Sequence, residues 1–445
     1  VTKILLPSSY VELTGDVQQC LLLAKEQGFS IDSIELGVSP TQLIQLVQGQ
    51  HITSISTDLN VEERASDLAD YVFVYRSNIL VEHYLQQTRN AIFIGIQDVD
   101  STQRDRDYSQ FDIWRHPSTN EVRALSVRLD SYANTAPEYH LCWVLTLLAL
   151  DFPLEDSLTL ARAMQASAKS VSRETLSSRA WRIVDAWPAQ YSDFPTPVLE
   201  DDRIGIKVGW HAGRDLSPFD TLSESSLGLY PVVDDVDWIE RLLPMGVTTI
   251  QLRIKNPDQH DLEQQIKKAI DLGRQHNAQV FINDYWQLAI KHGAFGVHLG
   301  QEDIEQSNLS QLNQAGICLG LSTHGYYELL RIVQISPSYI ALGHIFPTTT
   351  KQMPSQPQGL VRLALYQKLI DSIPYGDRAG VPTVAIGGID QSNADDVWQC
   401  GVTSLAVVRA ITLAKSPQQV IEFFNQLMGS NLIGATEHKE VIEHA

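Results

Sequence analysis

The sequence predicts an α/β protein that ends in a closed (β/α)8 barrel and begins with a separate, less regular α/β domain. Three observations carry that expectation. Eight short β-rich runs after Leu227 alternate with helical patterns. Residues 188–226, rich in Pro, Ser, Asp and Gly, part this rhythm from what precedes it, as linkers do. The chain of 445 residues, 43% hydrophobic, holds enough apolar material for two or three cores.

The first domain is expected over 1–187. Tyr71 to Val74 (YVFV) and Ala91 to Ile96 (AIFIGI) read as buried strands; Val17 to Glu26, Cys142 to Leu150 and Leu158 to Ala168 read as helices. The order of its strands is not legible. The second domain is expected over 227–430, with 431–445 as a tail. Its strands are Leu229 to Val233, Thr248 to Leu252, Gln279 to Ile282, Gly296 to Leu299, Cys318 to Leu321, Tyr339 to Leu342, Thr383 to Ile386 and Ser404 to Val407. Between them, apolar residues recur at helical spacing, as at Leu262, Ile266, Ala269, Ile270 and Gly273. Strands alternating with helices must pair in parallel, because only a crossover returns the chain in the same direction. Eight such units in about 200 residues close a TIM barrel at the small end of its size range.

Charge narrows the function classes. Lys and Arg number 33 against 53 Asp and Glu, a net charge of −20, and no basic run is present. Such a surface repels nucleic acid and anionic lipid, so any phosphate chemistry must sit in a local cationic pocket. The longest apolar stretch, Cys142 to Leu150, is about half of what a membrane-spanning helix needs. Cys20, Cys142, Cys318 and Cys400 lie far apart, without metal-ligand spacing, as in a reduced protein. His51, His83, His116, His140 and His211 show no metal spacing either. The opening VTKILLPSSYVELTGD has no signal-peptide pattern, and a cytoplasmic location is expected.

Barrel active sites lie at the C-terminal ends of the strands, so the residues following each strand carry the information. Gln251, Arg253 and Lys255 alternate at period two after the second strand and project to one side. An amide and two cations there suit a polyanion such as diphosphate; solvated charges or a strand-end salt bridge are the competing reading. Asp284 and Asp303 follow adjacent strands. Paired carboxylates beside phosphate suit Mg2+, a general acid–base pair suits the same positions, and helix capping explains either alone. Gly387 and Gly388 follow the seventh strand, where barrel loops often hold a phosphate, and Asn393 is placed to cap the next helix. Thr348, Thr349, Thr350 and Lys351 add three hydroxyls and a cation after the sixth strand.

QLRIK at 251–255, ND at 283–284, GVHLGQEDI at 296–304, GLSTH at 320–324, IFPTTTK at 345–351, VAIGGI at 384–389 and AVVRAI at 406–411 together resemble thiamine-phosphate synthase. Their order and spacing agree from Leu229 to Met428. The resemblance implies a transferase on a (β/α)8 barrel that joins hydroxymethylpyrimidine diphosphate to a thiazole phosphate, releasing diphosphate with Mg2+. It implies that Gln251, Arg253, Lys255 and Asn283 hold the pyrimidine diphosphate and that Asp284 and Asp303 ligate Mg2+. Ser322 then lies against the pyrimidine and its leaving group, and Thr348, Thr350 and Lys351 meet the thiazole carboxylate or the diphosphate. Lys255, Ser322 and Lys351 stand nearest the chemistry, while Gly387, Gly388 and Val408 lie at the thiazole phosphate. One departure stands out: where the family reads VVSAI, this chain has Arg409, which exchanges a hydroxyl for a cation. His344 stands where the family more often has Pro.

Cys142 to Ala168 resembles the C-terminal helices of hydroxymethylpyrimidine-phosphate kinases, which are ribokinase-like, and VSRET at 171–175 resembles the segment that follows in fused kinase–synthase chains. The kinase pattern Gly-Thr-Gly-Cys is replaced by Tyr139, His140, Leu141 and Cys142, whose bulk blocks close approach of phosphate. A degenerate, non-catalytic kinase-like domain is expected. The alternatives are a thiazole tautomerase-like paralogue, a non-enzymatic sensor or scaffold for thiamine precursors, and a bifunctional kinase–synthase. Small-molecule substrates are the expected partners, without nucleic acid or membrane, and oligomeric state stays open.

Overall fold

The computed structural model describes residues 1–59, 68–97, 109–128, 137–167, 187–210, 217–348 and 356–442, without the side chains of 109, 224 and 430–442. The chain divides into two units, Val1–Lys207 and Val208–Ala445.

Among the described residues, the first unit is built on a nine-stranded mixed sheet. In chain order its strands are β1 (Thr2–Leu6), β2 (Ile34–Val38), β3 (Ile44–Gln48), β4 (His51–Thr57), β5 (Tyr71–Val74), β6 (Ala91–Gln97), β7 (Ser109–Arg115), β8 (Val122–Arg128) and β9 (Thr196–Pro197). The spatial order is β2-β1-β3-β4-β5-β6-β7-β8-β9, with β1/β2, β4/β5 and β5/β6 parallel and the other neighbours antiparallel. Helix α1 (Thr14–Glu26) makes the crossover between β1 and β2. Helices α2 (Pro137–Ala149) and α3 (Leu154–Ser167) pack together, and every residue from Tyr139 to Ala149 is buried. A helix apolar on all sides must be enclosed, and this one is. Inside the unit, Asp112 of β7 meets Arg162 of α3 in a two-pronged pair, Nε to Oδ2 and Nη2 to Oδ1 both at 2.6 Å.

The segment read as a linker carries structure. Thr196–Pro197 adds an edge strand to β8, and Ile204 and Ile206 enter an apolar cluster with Phe93, Phe111 and Ile113. Phe219 and Leu222 are buried in the second unit. The polar, Pro-rich composition of 188–226 hides isolated apolar residues, of which Phe194, Ile204, Ile206, Phe219 and Leu222 are buried.

The second unit closes a barrel of eight parallel strands: β10 (Leu229–Val233), β11 (Thr249–Leu252), β12 (Gln279–Asn283), β13 (Gly296–Leu299), β14 (Cys318–Thr323), β15 (Tyr339–Gly343), β16 (Thr383–Ile386) and β17 (Ser404–Val407). Crossovers are made by α4 (Val236–Leu242), α5 (Leu262–His276), α6 (Trp286–His292), α7 (Gln301–Glu305) with α8 (Leu309–Gln314), α9 (Tyr326–Ile332), α10 (Gly359–Ile370) and α11 (Ala394–Trp398). The short α12 (Arg409–Thr412) and the long α13 (Pro417–Ile442) follow the last strand, so residues 431–442 of the expected tail continue α13. Period-two inward positions fill the barrel: Tyr230 and Val232, Phe281, Cys318, Tyr339 and Ala341, Val384, Ala406. Gly320 completes the layer, since a Cβ there would collide with the Tyr339 ring. No described helix is long and apolar enough to cross a membrane.

Candidate active site

The strand ends open into one cavity of about 780 Å3 at the C-terminal face of the barrel. Gln251, Arg253, Lys255, Asn283, Asp284 and Asp303 line it, as do Ser322, Thr348, Gly387, Gly388, Val408 and Arg409. Thr349, Thr350 and Lys351 lie outside the described residues.

The acidic pair sits among cations. Asp284 follows β12 with φ +67°, a left-handed conformation that Asp tolerates better than most residues, and its N–H donates to the His298 carbonyl at 3.1 Å. Lys255 Nζ lies 3.3 Å from Asp284 Oδ2. Burial and the neighbouring Asp303 push the Asp284 carboxyl above the usual range, against the pull of Lys255. Burial also lowers the Arg253 guanidinium from its ordinary value, and both aspartates counter it. The helix-cap reading splits between the two acids. Tyr285, not Asp284, occupies the N-cap of α6, whereas Asp303 Oδ2 accepts from the Gly300 N–H at the start of α7 at 3.2 Å. Asp303 therefore caps a helix and faces the cavity at once. Among the described residues, no group of three or more His, Cys, Asp or Glu side chains gathers as a metal cage. Asn283 is 4% exposed, and its Nδ2 has no hydrogen-bond partner among the described residues. Such a buried donor costs stability unless something in the cavity completes it.

Across the barrel, Gly387 and Gly388 have φ of +105° and +72°. A Cβ on Gly387 would lie 2.6 Å from the His344 Cα, so this turn requires glycine. Asn393 stands at the N-cap position of α11, as expected, but its side chain makes no cap bond and fastens the turn: its Nδ2 donates to the Gly388 carbonyl at 2.9 Å and its Oδ1 accepts from the Asp390 N–H at 3.0 Å. Arg409 is exposed, lines the same cavity as this turn and has no ion-pair partner among the described residues.

Sequence reasoning missed the polar chain beneath these groups. Gln251 Nε2 donates to the Tyr230 hydroxyl at 3.3 Å, Tyr230 meets the Tyr339 hydroxyl at 2.8 Å, Tyr339 meets His298 Nδ1 at 2.7 Å, and His298 Nε2 meets Ser322 Oγ at 2.8 Å. Each tyrosine has one hydrogen to give. With Gln251 donating, the arrangement that uses every hydroxyl hydrogen runs from Tyr230 to Tyr339 to His298 Nδ1. His298 then carries its proton on Nε2 and donates to Ser322, leaving the Ser322 hydroxyl hydrogen free to point elsewhere. The available signal was phase: Tyr230, His298, Ser322 and Tyr339 all fall on inward positions of their strands. Tyr339→Phe keeps the ring against Phe281, at 5.2 Å between centroids, but strands two buried polar groups. It is expected to cost about 1–3 kcal/mol in denaturant unfolding of the full chain. An unchanged stability would mean the chain of hydrogen bonds is not formed.

Residues 229–411 match the family described as thiamine monophosphate synthase. The chain is 57% identical over 198 residues to a thiamine-phosphate synthase of Proteus mirabilis (strain HI4320), spanning 44% of this chain and 88% of that protein. The same identity holds over 197 residues with a thiamine-phosphate synthase of Yersinia pestis (strain Pestoides F), with the same shares covered. Among solved structures, thiamine phosphate pyrophosphorylase from Pyrococcus furiosus is 27% identical, with a TM-score of 0.40, covering 46% of this chain and 98% of that one. Identity this high over most of a relative's length settles the assignment: through its barrel, the chain belongs to the thiamine-phosphate synthase family and is a transferase.

Proposed function

We propose that the barrel joins hydroxymethylpyrimidine diphosphate to a thiazole phosphate and releases diphosphate, by a dissociative substitution. The observation that carries this reading is the meeting, on one cavity, of the Arg253–Lys255–Asp284–Asp303 group with the glycine turn and Arg409. Both substrates are anions, and each meets cationic side chains at this cavity mouth despite the net charge of −20.

The bond from the pyrimidine methylene carbon to the diphosphate oxygen breaks first, helped by electron release from the ring 4-amino group. The thiazole nitrogen then bonds to that carbon, and both electrons of the broken bond leave with diphosphate. No protein nucleophile is needed. The protein must stabilise departing charge and hold the acceptor in line. Gln251 and Asn283 orient the pyrimidine diphosphate, Arg253 and Lys255 meet its charge, and Ser322 is presented by His298 towards the pyrimidine and its leaving group. Gly387, Gly388, Val408 and Arg409 receive the thiazole phosphate, with Arg409 supplying charge in place of the family hydroxyl. Thr348 and, in the same loop, Thr349, Thr350 and Lys351 complete the site.

The donor set suits Mg2+. Asp284 and Asp303 form the sparse hard-oxygen pair that Mg2+ uses when substrate phosphates and waters fill its remaining positions. These two residues would hold it, and when bound it supplies positive charge to the diphosphate.

The first unit is read as a degenerate hydroxymethylpyrimidine-phosphate kinase-like domain without activity. Tyr139, His140, Leu141 and Cys142 all lie buried within α2, which favours this reading. Burial pushes the Cys142 thiol well above its ordinary range and His140 well below its own, so neither is poised as a nucleophile or base. An assay of diphosphate release with both purified substrates tests the whole proposal on the full chain. Release is expected with Mg2+ and without ATP, and no phosphorylation of hydroxymethylpyrimidine phosphate by ATP. Failure to release diphosphate would remove the synthase reading.

A further inference from the structure

Immediately before the barrel, Val208–Trp210 belongs to the second unit yet lies outside the family-matched residues 229–411. By composition it is linker, but its aromatic side chain is 0% exposed. The Gly209 N–H donates to Glu305 Oε2 at 2.5 Å, and a Cβ on Gly209 would collide with the Glu305 carbonyl, so glycine is required for this approach. Trp210 then lies under the Arg331 guanidinium, which sits 4.5 Å from its ring centroid.

From Arg331 the contacts lead straight to the active site. Its Nη2 pairs with Glu305, and its Nη1 donates to Gln301 Oε1 at 3.3 Å. Gln301 and Glu305 are one turn apart on α7, so both face the same guanidinium. Gln301 Nε2 in turn donates to the Ser322 carbonyl at 2.7 Å. Arginine offers only donors, which fixes the amide: its oxygen must face Arg331, and its nitrogen must face Ser322. A flat guanidinium seated on Trp210 therefore sets the orientation of Gln301, and Gln301 tethers the backbone of Ser322 while His298 holds its hydroxyl.

We propose that Trp210 is a positioning residue for Ser322, acting through Arg331 and Gln301, so that a segment upstream of the matched barrel braces the reaction centre. The inference rests on the role assigned to Ser322 above. It adds a requirement the family-matched residues do not contain: a barrel lacking 208–210 lacks the seat for Arg331.

The test uses the full chain and steady-state kinetics of diphosphate release. Trp210→Ala and Arg331→Met are each expected to lower kcat about tenfold, as small misplacements of a reacting group do, with KM for both substrates changed less than about twofold. Trp210→Phe, which keeps a ring under the guanidinium, should retain most of kcat. The Trp210→Ala/Arg331→Met double variant should be no slower than the slower single variant, because both act on one path. Ser322→Ala separates the two layers of the argument. Turnover lost in Ser322→Ala but kept in folded Trp210→Ala and Arg331→Met overturns the bracing. Turnover lost in Trp210→Ala but kept in Ser322→Ala overturns the role of Ser322 and, with it, this path. Losses that multiply in the double variant overturn the path as well. If Trp210→Ala does not fold, Arg331→Met, which opens no aromatic cavity, decides alone.

Discussion

Asp284→Asn should lower turnover by about 10²- to 10³-fold while leaving the barrel at least as stable. The substitution changes charge and little else: Asn has the same shape and tolerates the φ of +67° at this position. The charge itself is a burden on the fold. Burial and Asp303 raise the Asp284 carboxyl above its ordinary range, and Lys255 only partly offsets them. A carboxyl raised in the folded state favours folding when protonated, and that contribution is lost as pH rises through the raised value. At neutral pH the ionised Asp284 therefore works against stability, and neutralising it relieves repulsion with Asp303. Asp303 also caps α7, so function is the remaining reason for the second acid, Asp284, in this partly dehydrated corner. With Asn in place, the pair that would hold Mg2+ loses a charged ligand, and the diphosphate leaves without that assistance. Turnover at saturating Mg2+ and substrate, with thermal unfolding alongside, checks both halves. Full Mg2+-dependent activity in the variant would sink the metal assignment.

The barrel was legible because its parallel strands are buried on both faces and its helices carry a 3.6-residue stripe. The pattern places the eighth strand at its observed bounds, Ser404–Val407, and ends the third at Ile282, one residue before Asn283. The strand-end residues followed from that phase alone. The first unit was not legible in the same way. β4 reads HITSIST and β3 IQLVQ, short polar-faced segments whose place in the sheet is set by partners far along the chain. Pairings between distant residues were equally out of reach. His298 meets a tyrosine 41 positions away, and Arg331 finds a tryptophan in a stretch that composition marks as linker. Local pattern names the residues at a strand end; it does not name what buttresses them from behind.

Arg162→Met is expected to destabilise the first unit by about 3–5 kcal/mol and to leave synthase turnover unchanged. Asp112 is fully buried, and Arg162 gives it two hydrogen bonds of 2.6 Å, while the Gly95 N–H supplies a third at 2.8 Å. Removing the guanidinium leaves a carboxylate in an apolar interior between β7 and α3 with its charge uncompensated, which is the costly way to break a buried pair. Met fills most of the vacated volume, so little of the loss comes from a cavity. Adding Asp112→Asn should recover much of it, because the amide keeps an acceptor for Gly95 without a charge to bury. The catalytic expectation has a separate basis: the described residues around the cavity all come from 230–420, and the first unit is read as inactive. Denaturant unfolding of the full chain should therefore show an earlier first transition, with diphosphate release persisting until the second. Turnover that falls in step with the first transition would mean that the first unit contributes to the reaction.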